Sequence, residues 1–207
     1  MTNEAPSPPV KRRRGRPQVA SRAIFEEAAS ELFLERGYAE TSIDDIARRA
    51  GVARSSFFNY FHSKSDLLWC SAEEAFRSIV EDLETFPAAD GAPHAYAAVR
   101  DLYLRHAARL EPGSIPWSVS QREIMGTADD CAATGVLYAM RQRAAIVRLL
   151  RRSGVPGLQA AAFASAFLAG CVSGAAEWVD AGLRRGGLLP YLEASVSPVL
   201  RGFGCES

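Results

Sequence analysis

The 207 residues carry 24 Lys and Arg against 24 Asp and Glu, and 48% of them are hydrophobic. A chain of that length buries a core without metal or disulfide staples, and its apolar and charged fractions are those of an ordinary soluble protein. The net charge of zero hides an uneven distribution: residues 1–65 hold 11 Lys and Arg against 8 Asp and Glu, a basic leading end of the kind presented to nucleic acid.

Residues 1–17 are polar, Pro-rich and basic, so they read as a disordered arm and not as a secretory signal. The run Lys11-Arg12-Arg13-Arg14-Gly15-Arg16-Pro17 is similar to the core of an AT-hook. Arginines flanking a glycine suit a narrow A·T-rich minor groove, and the same charges also serve as a counterion-releasing tail. From Ser21 the apolar residues Phe25, Ala29, Phe33 and Ile24, Ala28, Leu32 recur at helical spacing, and Gly37 supplies the stop. Thr41 to Asp44 reads as a capping box with Thr41 as N-cap, opening a short helix through Ala50. Gly51 turns the chain into a second short helix at about Arg54–Phe61. Ser63 to Asp66 is another capping box and opens a longer helix to about Leu83. Two short helices joined by a tight turn at Gly51, with longer ones on either side, are the sequence form of a helix-turn-helix.

The stretch TSIDDIARRAGVARSSFFNYFHSKSDLL, Thr41 to Leu68, resembles the DNA-binding signature of the tetracycline-repressor (TetR) family. Thr41, Ile46, Ala47, Ala50, Gly51, Val52, Tyr60, Phe61, Ser63, Lys64, Leu67 and Leu68 stand at the matching positions, and the likeness covers about a quarter of the chain. The resemblance implies that 54–61 is a recognition helix in the major groove. Arg54 would then read a base, Ser55 and Ser56 would approach bases or phosphates, and Asn59 would read adenine or bond a phosphate. Thr41, Tyr60 and Lys64 would hold phosphates, and Arg12, Arg13, Arg14 and Arg16 would follow the duplex from the arm. Ser55 departs from the family's usual Gly, Ala or Pro. Phe58 departs from its usual Tyr and so lacks a phosphate-binding hydroxyl.

The remainder predicts helices at about 92–110, 115–127, 131–153, 158–183 and 187–203, about nine helices in all and an all-α fold. The expected domains are a basic arm (1–17), a three-helix helix-turn-helix domain (18–65) and a helical effector-binding and dimerisation domain (66–207). Gly154 to Ala176 has no charged residue, but its Ala, Ser and Gly content fits a buried helix better than a membrane span. Ala166, Gly170 and Gly174, four residues apart and flanked by Phe163 and Phe167, offer a smooth strip. The strip suits the dimer interface that the family builds from its last two helices, or packing within one subunit. By residue type, Tyr103, Trp117, Met125, Tyr138, Phe167 and Trp178 are candidates for an effector pocket. The arginines between Arg141 and Arg152 form a solvated face or attract an anionic effector such as an acyl-coenzyme A.

The four cysteines have no metal-ligand spacing, and the three histidines pair with no nucleophile or metal motif, so no metal, cofactor or catalytic function is expected. The expected protein is therefore a cytoplasmic regulator: a homodimer on palindromic double-stranded operator DNA, released by an unidentified apolar or acyl-CoA-like effector, without a membrane partner. The alternative is an architectural DNA-binding protein that takes no ligand.

Overall fold

The computed structural model describes residues 21–204, so the predicted arm and its arginines 12, 13, 14 and 16 lie outside the described residues. Ten α-helical segments and three 3₁₀ segments make up the described chain: α1 (Arg22–Arg36), α2 (Ile43–Arg49), α3 (Arg54–Phe57), α4 (Glu73–Thr85), α5 (Ala92–Arg109), α6 (Trp117–Ser120), α7 (Arg122–Met125), α8 (Ala128–Arg152), α9 (Gly157–Asp180) and α10 (Leu189–Gly202), with 3₁₀ turns at Lys64–Trp69, Pro112–Ser114 and Gly182–Arg184. The all-α expectation holds.

Local chemistry sets the boundaries. Ser21 caps α1 by accepting from the Ile24 amide at 3.3 Å, and Gly37, at φ 86°, ends it in a conformation that disfavours any side chain. At α2 the cap falls one residue later than the sequence reading placed it. Ser42 and Asp45, not Thr41 and Asp44, form the reciprocal box, with Asp45 N–H to Ser42 Oγ at 3.2 Å and Ser42 N–H to Asp45 Oδ2 at 3.1 Å. Thr41 is buried, and its hydroxyl donates back to Gly37 O at 2.8 Å. Two other boundaries differ. The segment after Ser63 is a 3₁₀ turn that breaks before α4 begins at Glu73, and 115–127 splits into α6 and α7 around Gln121.

Two buried clusters organise the molecule. The first is aromatic: Phe25 meets Phe57 and Phe61 edge-on at 5.4 and 6.1 Å, with Ile46, Leu67 and Leu68 around them. Met125 and Cys131, from the second half of the chain, complete this same cluster. The second cluster lies among α4, α5, α8, α9 and α10, where Tyr96, Phe163 and Phe167 stack in a row at 4.2 and 5.5 Å. For convenience these two parts are called the head and the body.

In the body, the Arg152 guanidinium donates to Leu83, Glu84 and Phe86 carbonyls and so satisfies the free C-terminal end of α4. Arg148 pairs with Glu84 at 2.5 Å, and Arg143 donates to Ser165 Oγ at 2.8 Å. The basic row of α8 is largely exposed, as a solvated face would be, and three of its arginines also join helices to one another.

The small strip of α9 packs inside the subunit. A Cβ on Gly174 would lie 2.8 Å from Tyr191 O and 2.5 Å from Ser195 Oγ, and one on Gly170 would lie 3.1 Å from Ser195 O. Phe163 is fully buried in the body core. Of the residues expected at a dimer contact, Phe163, Gly170 and Gly174 are therefore committed to the subunit's own α10 and core, and Ala166 is half-buried on the same helix. Because backbone blocks the space beside Gly174, Gly174→Ala must push α9 and α10 apart. The expected loss is about 1–3 kcal/mol of unfolding free energy, read by urea denaturation, and Ser195→Ala added to it should restore little.

Candidate nucleic-acid interface

The helix-turn-helix is built so that one side of each short helix is spent on the aromatic core and the other faces out. On α3 and the turn after it, Phe57 and Phe61 point inward and are fully buried, while Arg54, Ser55, Phe58 and Asn59 are exposed. Gly51, at φ 71°, makes the turn between α2 and α3. The helical part of the predicted recognition helix is only Arg54–Phe57; residues 58–60 continue as turns, with Tyr60 N–H donating to Phe57 O at 3.0 Å. Arg54 begins this segment, its guanidinium 3.4 Å from Asp44 and 5.6 Å from the Phe58 ring centre. Such an exposed pair contributes little to stability, so the arginine is available to another acceptor. Ser56 is half-buried, and Tyr60 is exposed with its ring 5.8 Å from Phe25.

Arg22 fixes the entry of α1 to the end of this segment. It donates to Tyr60 O at 3.4 Å, lies 4.8 Å over the Phe61 ring and pairs with Glu73. The start of α1 therefore lies beside Tyr60. Arg49 holds α2 to α1 by bonding Glu31 at 2.8 Å and Glu35 at 2.6 and 2.9 Å; the Arg49 hydrogen bond holds the Glu35 carboxyl below its ordinary value.

Two expected phosphate holders are occupied inside the protein. Thr41 is buried, as above. Lys64 donates its ammonium to Tyr38 O at 2.6 Å and Thr41 O at 2.9 Å and stands 3.9 Å over the Tyr38 ring. Desolvation pushes the Lys64 amine below its ordinary value and raises the Tyr38 phenol to about 12. Lys64 is thus a strut between the 3₁₀ turn and the loop after α1. Sequence reasoning missed Ser42, which is exposed at the start of α2, and Arg22; a one-residue shift of the cap and an arginine outside the motif gave no separate signal.

The candidate effector residues do not converge. Tyr103 and Phe167 meet edge-on at 5.1 Å in the body core, and Tyr103 donates to Gln142 at 2.7 Å. Trp178 donates to Gly186 O at 2.9 Å at the far end of α9. Trp117 is 57% exposed, Met125 is buried in the head cluster, and Tyr138 lies half-exposed against Phe76 at 4.9 Å. Residue type alone grouped side chains that the fold separates.

Residues 27–68 match the pattern of bacterial regulatory proteins of the tetR family. That segment is a tetR-family DNA-binding region. Curated relatives include AcuR, a transcriptional regulator of Cereibacter sphaeroides, 38% identical over 71 residues and covering 32% of each chain. EthR, an HTH-type transcriptional regulator of Mycolicibacterium smegmatis, is 34% identical over 87 residues, covering 38% of this chain and 40% of its own. The chain spans about a third of the length of the first curated relatives it matches. Among solved structures, NalD, the secondary repressor of the MexAB-OprM multidrug efflux pump in Pseudomonas aeruginosa, superposes with a TM-score of 0.59 at 22% identity, over 87% of this chain and 96% of its own. SmeT, repressor of the Stenotrophomonas maltophilia efflux pump SmeDEF, gives 0.55 at 19% identity, over 89% and 90%. The chain thus shares a sequence signature with these regulators through the head, and a fold with these two structures over most of its length.

Two outcomes test the head's construction. Lys64→Ala removes two charge-assisted hydrogen bonds and leaves the Thr41 carbonyl short of a donor, while Tyr38 O keeps the Thr41 amide; a loss of about 2–3 kcal/mol in head stability is expected by denaturant unfolding. Asp45 is held below its ordinary value of 3.8 by the Ser42 hydroxyl first, then the Ser42 amide, Arg36 and Arg48, against the opposing effect of burial. A carboxyl lowered on folding stabilises the fold above its unfolded value and loses that effect as pH falls through its folded value. Asp45→Asn should therefore melt at a lower temperature than wild type at neutral pH. The gap should begin to close below about pH 4 and vanish below the depressed value.

Proposed function

We propose that this protein is a DNA-binding transcriptional regulator that acts as a homodimer on an inverted-repeat operator and is released by a small-molecule effector. The observation that carries the reading is the exposed set Arg54, Ser55 and Asn59, mounted on a segment whose opposite side, Phe57 and Phe61, is locked into the head core. A rigid mount for a bidentate donor is what base reading in a major groove requires. Arg54 is assigned to base edges, Ser55, Ser56 and Asn59 to bases or neighbouring phosphates, and Tyr60 with Ser42 to phosphates. Thr41 and Lys64 are assigned to holding the head together.

Of the 11 basic residues in 1–65, five fall within residues 11–16, so the arm supplies much of the head's attraction to any duplex. The domain scheme of arm, head (18–65) and body (66–207) is retained as a functional division, with the head core reaching on to Leu68.

Dimerisation is assigned to the outer face of α9. Leu158, Ala162, Ser165, Ala169, Val172 and Ala176 are all exposed, spaced alternately four and three residues apart, and none is charged. That spacing keeps a seam on one side of a helix, and no seam residue is itself charged, the Arg143 guanidinium that borders it being bonded to Ser165. Both considerations favour this face over Phe163, Gly170 and Gly174.

For the effector, the supporting observation is indirect: SmeT has been solved in complex with triclosan, in a structure similar to this one at a TM-score of 0.51. Tyr103 and Phe167, the two adjacent candidates in the body core, are the pair that an apolar effector would have to part. Release follows if the effector binds more tightly to a body whose heads are wrongly placed, and the loss of DNA affinity equals that difference.

Selection of bound duplexes from a randomised pool tests the reading. Wild-type protein should enrich an inverted repeat. Arg54→Ala should lose preference at one position of each half while binding random duplex as before, a discrimination loss of about 1–3 kcal/mol. Enrichment of no repeat, or an equal loss on selected and random duplexes, would count against the assignment.

A further inference from the structure

The 3₁₀ turn that closes the head ends at Trp69, whose indole lies on α8 of the body. Its Nε1–H donates to Cys131 O at 3.2 Å and to Thr134 Oγ1 at 3.0 Å. The ring continues into a half-exposed aromatic group, 5.7 Å from Phe76 on α4 and 6.3 Å from Tyr138 on α8. The place where the ring rests on α8 is Gly135, where an added Cβ would lie 3.1 Å from Trp69 Cζ2 and 3.6 Å from Cε2.

Gly135 is inside a 25-residue helix, where glycine costs roughly 1 kcal/mol relative to alanine and has no turn to make. Close approach of the indole is what the glycine allows. The indole is in turn held at its nitrogen by α8 and at its edge by Phe76, so a methyl group at 135 cannot be accommodated without moving the ring. Moving the ring moves the turn 64–69, and that turn carries Leu67 and Leu68 of the head core.

We propose that Trp69 and Gly135 are positioning residues that set the angle of the head on the body, and through it the spacing between half-sites that the dimer accepts. The inference rests on the dimeric operator-binding reading above. In a two-fold dimer the two heads must face successive turns of the major groove, so a rotation of each head about its mount changes their separation without touching the residues that read bases. Half-site sequence and half-site spacing are then governed by different parts of the molecule: the exposed face of 54–59 for one, the contact of Trp69 with α8 for the other.

The test uses full-length wild type, Gly135→Ala and Trp69→Phe on duplexes that differ only in the spacer between two selected half-sites, with a single half-site as reference. Wild type should bind one spacing best. Gly135→Ala should match wild type on the single half-site and melt no lower, since alanine favours the helix. It should bind several-fold more weakly at the wild-type spacing and discriminate less among neighbouring spacers. Trp69→Phe keeps a ring but loses both hydrogen bonds of the indole, and should flatten the spacer profile further; it carries the test should Gly135→Ala fail to fold. Unchanged spacer profiles in both variants overturn the proposal. A wild-type protein that gains nothing from a second half-site instead removes the dimeric reading on which the proposal rests.

Discussion

Met125 is the side chain through which the two halves of the molecule share a core. It is fully buried among Phe25, Phe33, Tyr38 and Leu68, although it belongs to a helix of the second half of the chain. Its carbonyl accepts from the Tyr38 amide at 2.8 Å, in the loop between α1 and α2. Ser118 donates to Leu68 O, and Trp69 donates to the first turn of α8. All of these ties land on residues 118–134, so the head core, built mostly from residues 25–68, is completed by the body's α7 and the start of α8. A single cavity-forming change at such a shared site is felt on both sides, because close-packed interiors transmit displacement instead of absorbing it.

This arrangement gives control of DNA binding a physical route. The segment that grips the head is held at its other side by Arg122, which pairs with Asp180 at the end of α9 at 2.5 Å. Thr127 Oγ1 donates to Ser118 O at 2.5 Å and stiffens the segment internally. The body core meanwhile packs α9 tightly on α10 through Gly170 and Gly174, leaving the outward face of α9, which Arg143 borders at Ser165, as the proposed dimer face. A change in how the body packs would therefore act on the head through 118–134, and in the proposed dimer a small rotation of each head would change their separation. Nothing in this route requires the exposed face of Arg54, Ser55 and Asn59 to deform; it has only to be carried to a different place.

The sequence was most informative where chemistry is local. Ser21 and Gly37 bound α1 as expected, the turn at Gly51 falls where the motif places it, and Phe57 and Phe61 are buried by helical spacing alone. Breaks at Gly154–Gly157 and Gly186–Gly187 separate the last three helices as read from glycine and proline. Partnership between distant segments was not legible. Thr41 and Lys64 look like surface phosphate ligands in the motif, yet each is consumed by carbonyls of the loop after α1, a pairing fixed only when the chain closes. Met125 and Tyr103 are both apolar helical residues, and no spacing rule says that one joins the head and the other the body. The glycine strip of α9 was legible as a close-packing surface, but that α10 of the same subunit packs on Gly170 and Gly174 depends on which face of a helix turns inward.

The central claim, that the exposed face of the head reads DNA in pairs, is tested most directly by fluorescence anisotropy of full-length protein. The titration uses duplex from upstream of its own gene, at fixed salt with random competitor and with the bound stoichiometry determined. The account predicts selective binding with two subunits, or a multiple of two, on each site. Binding no tighter than to random duplex, or saturation at one subunit per site, would contradict it.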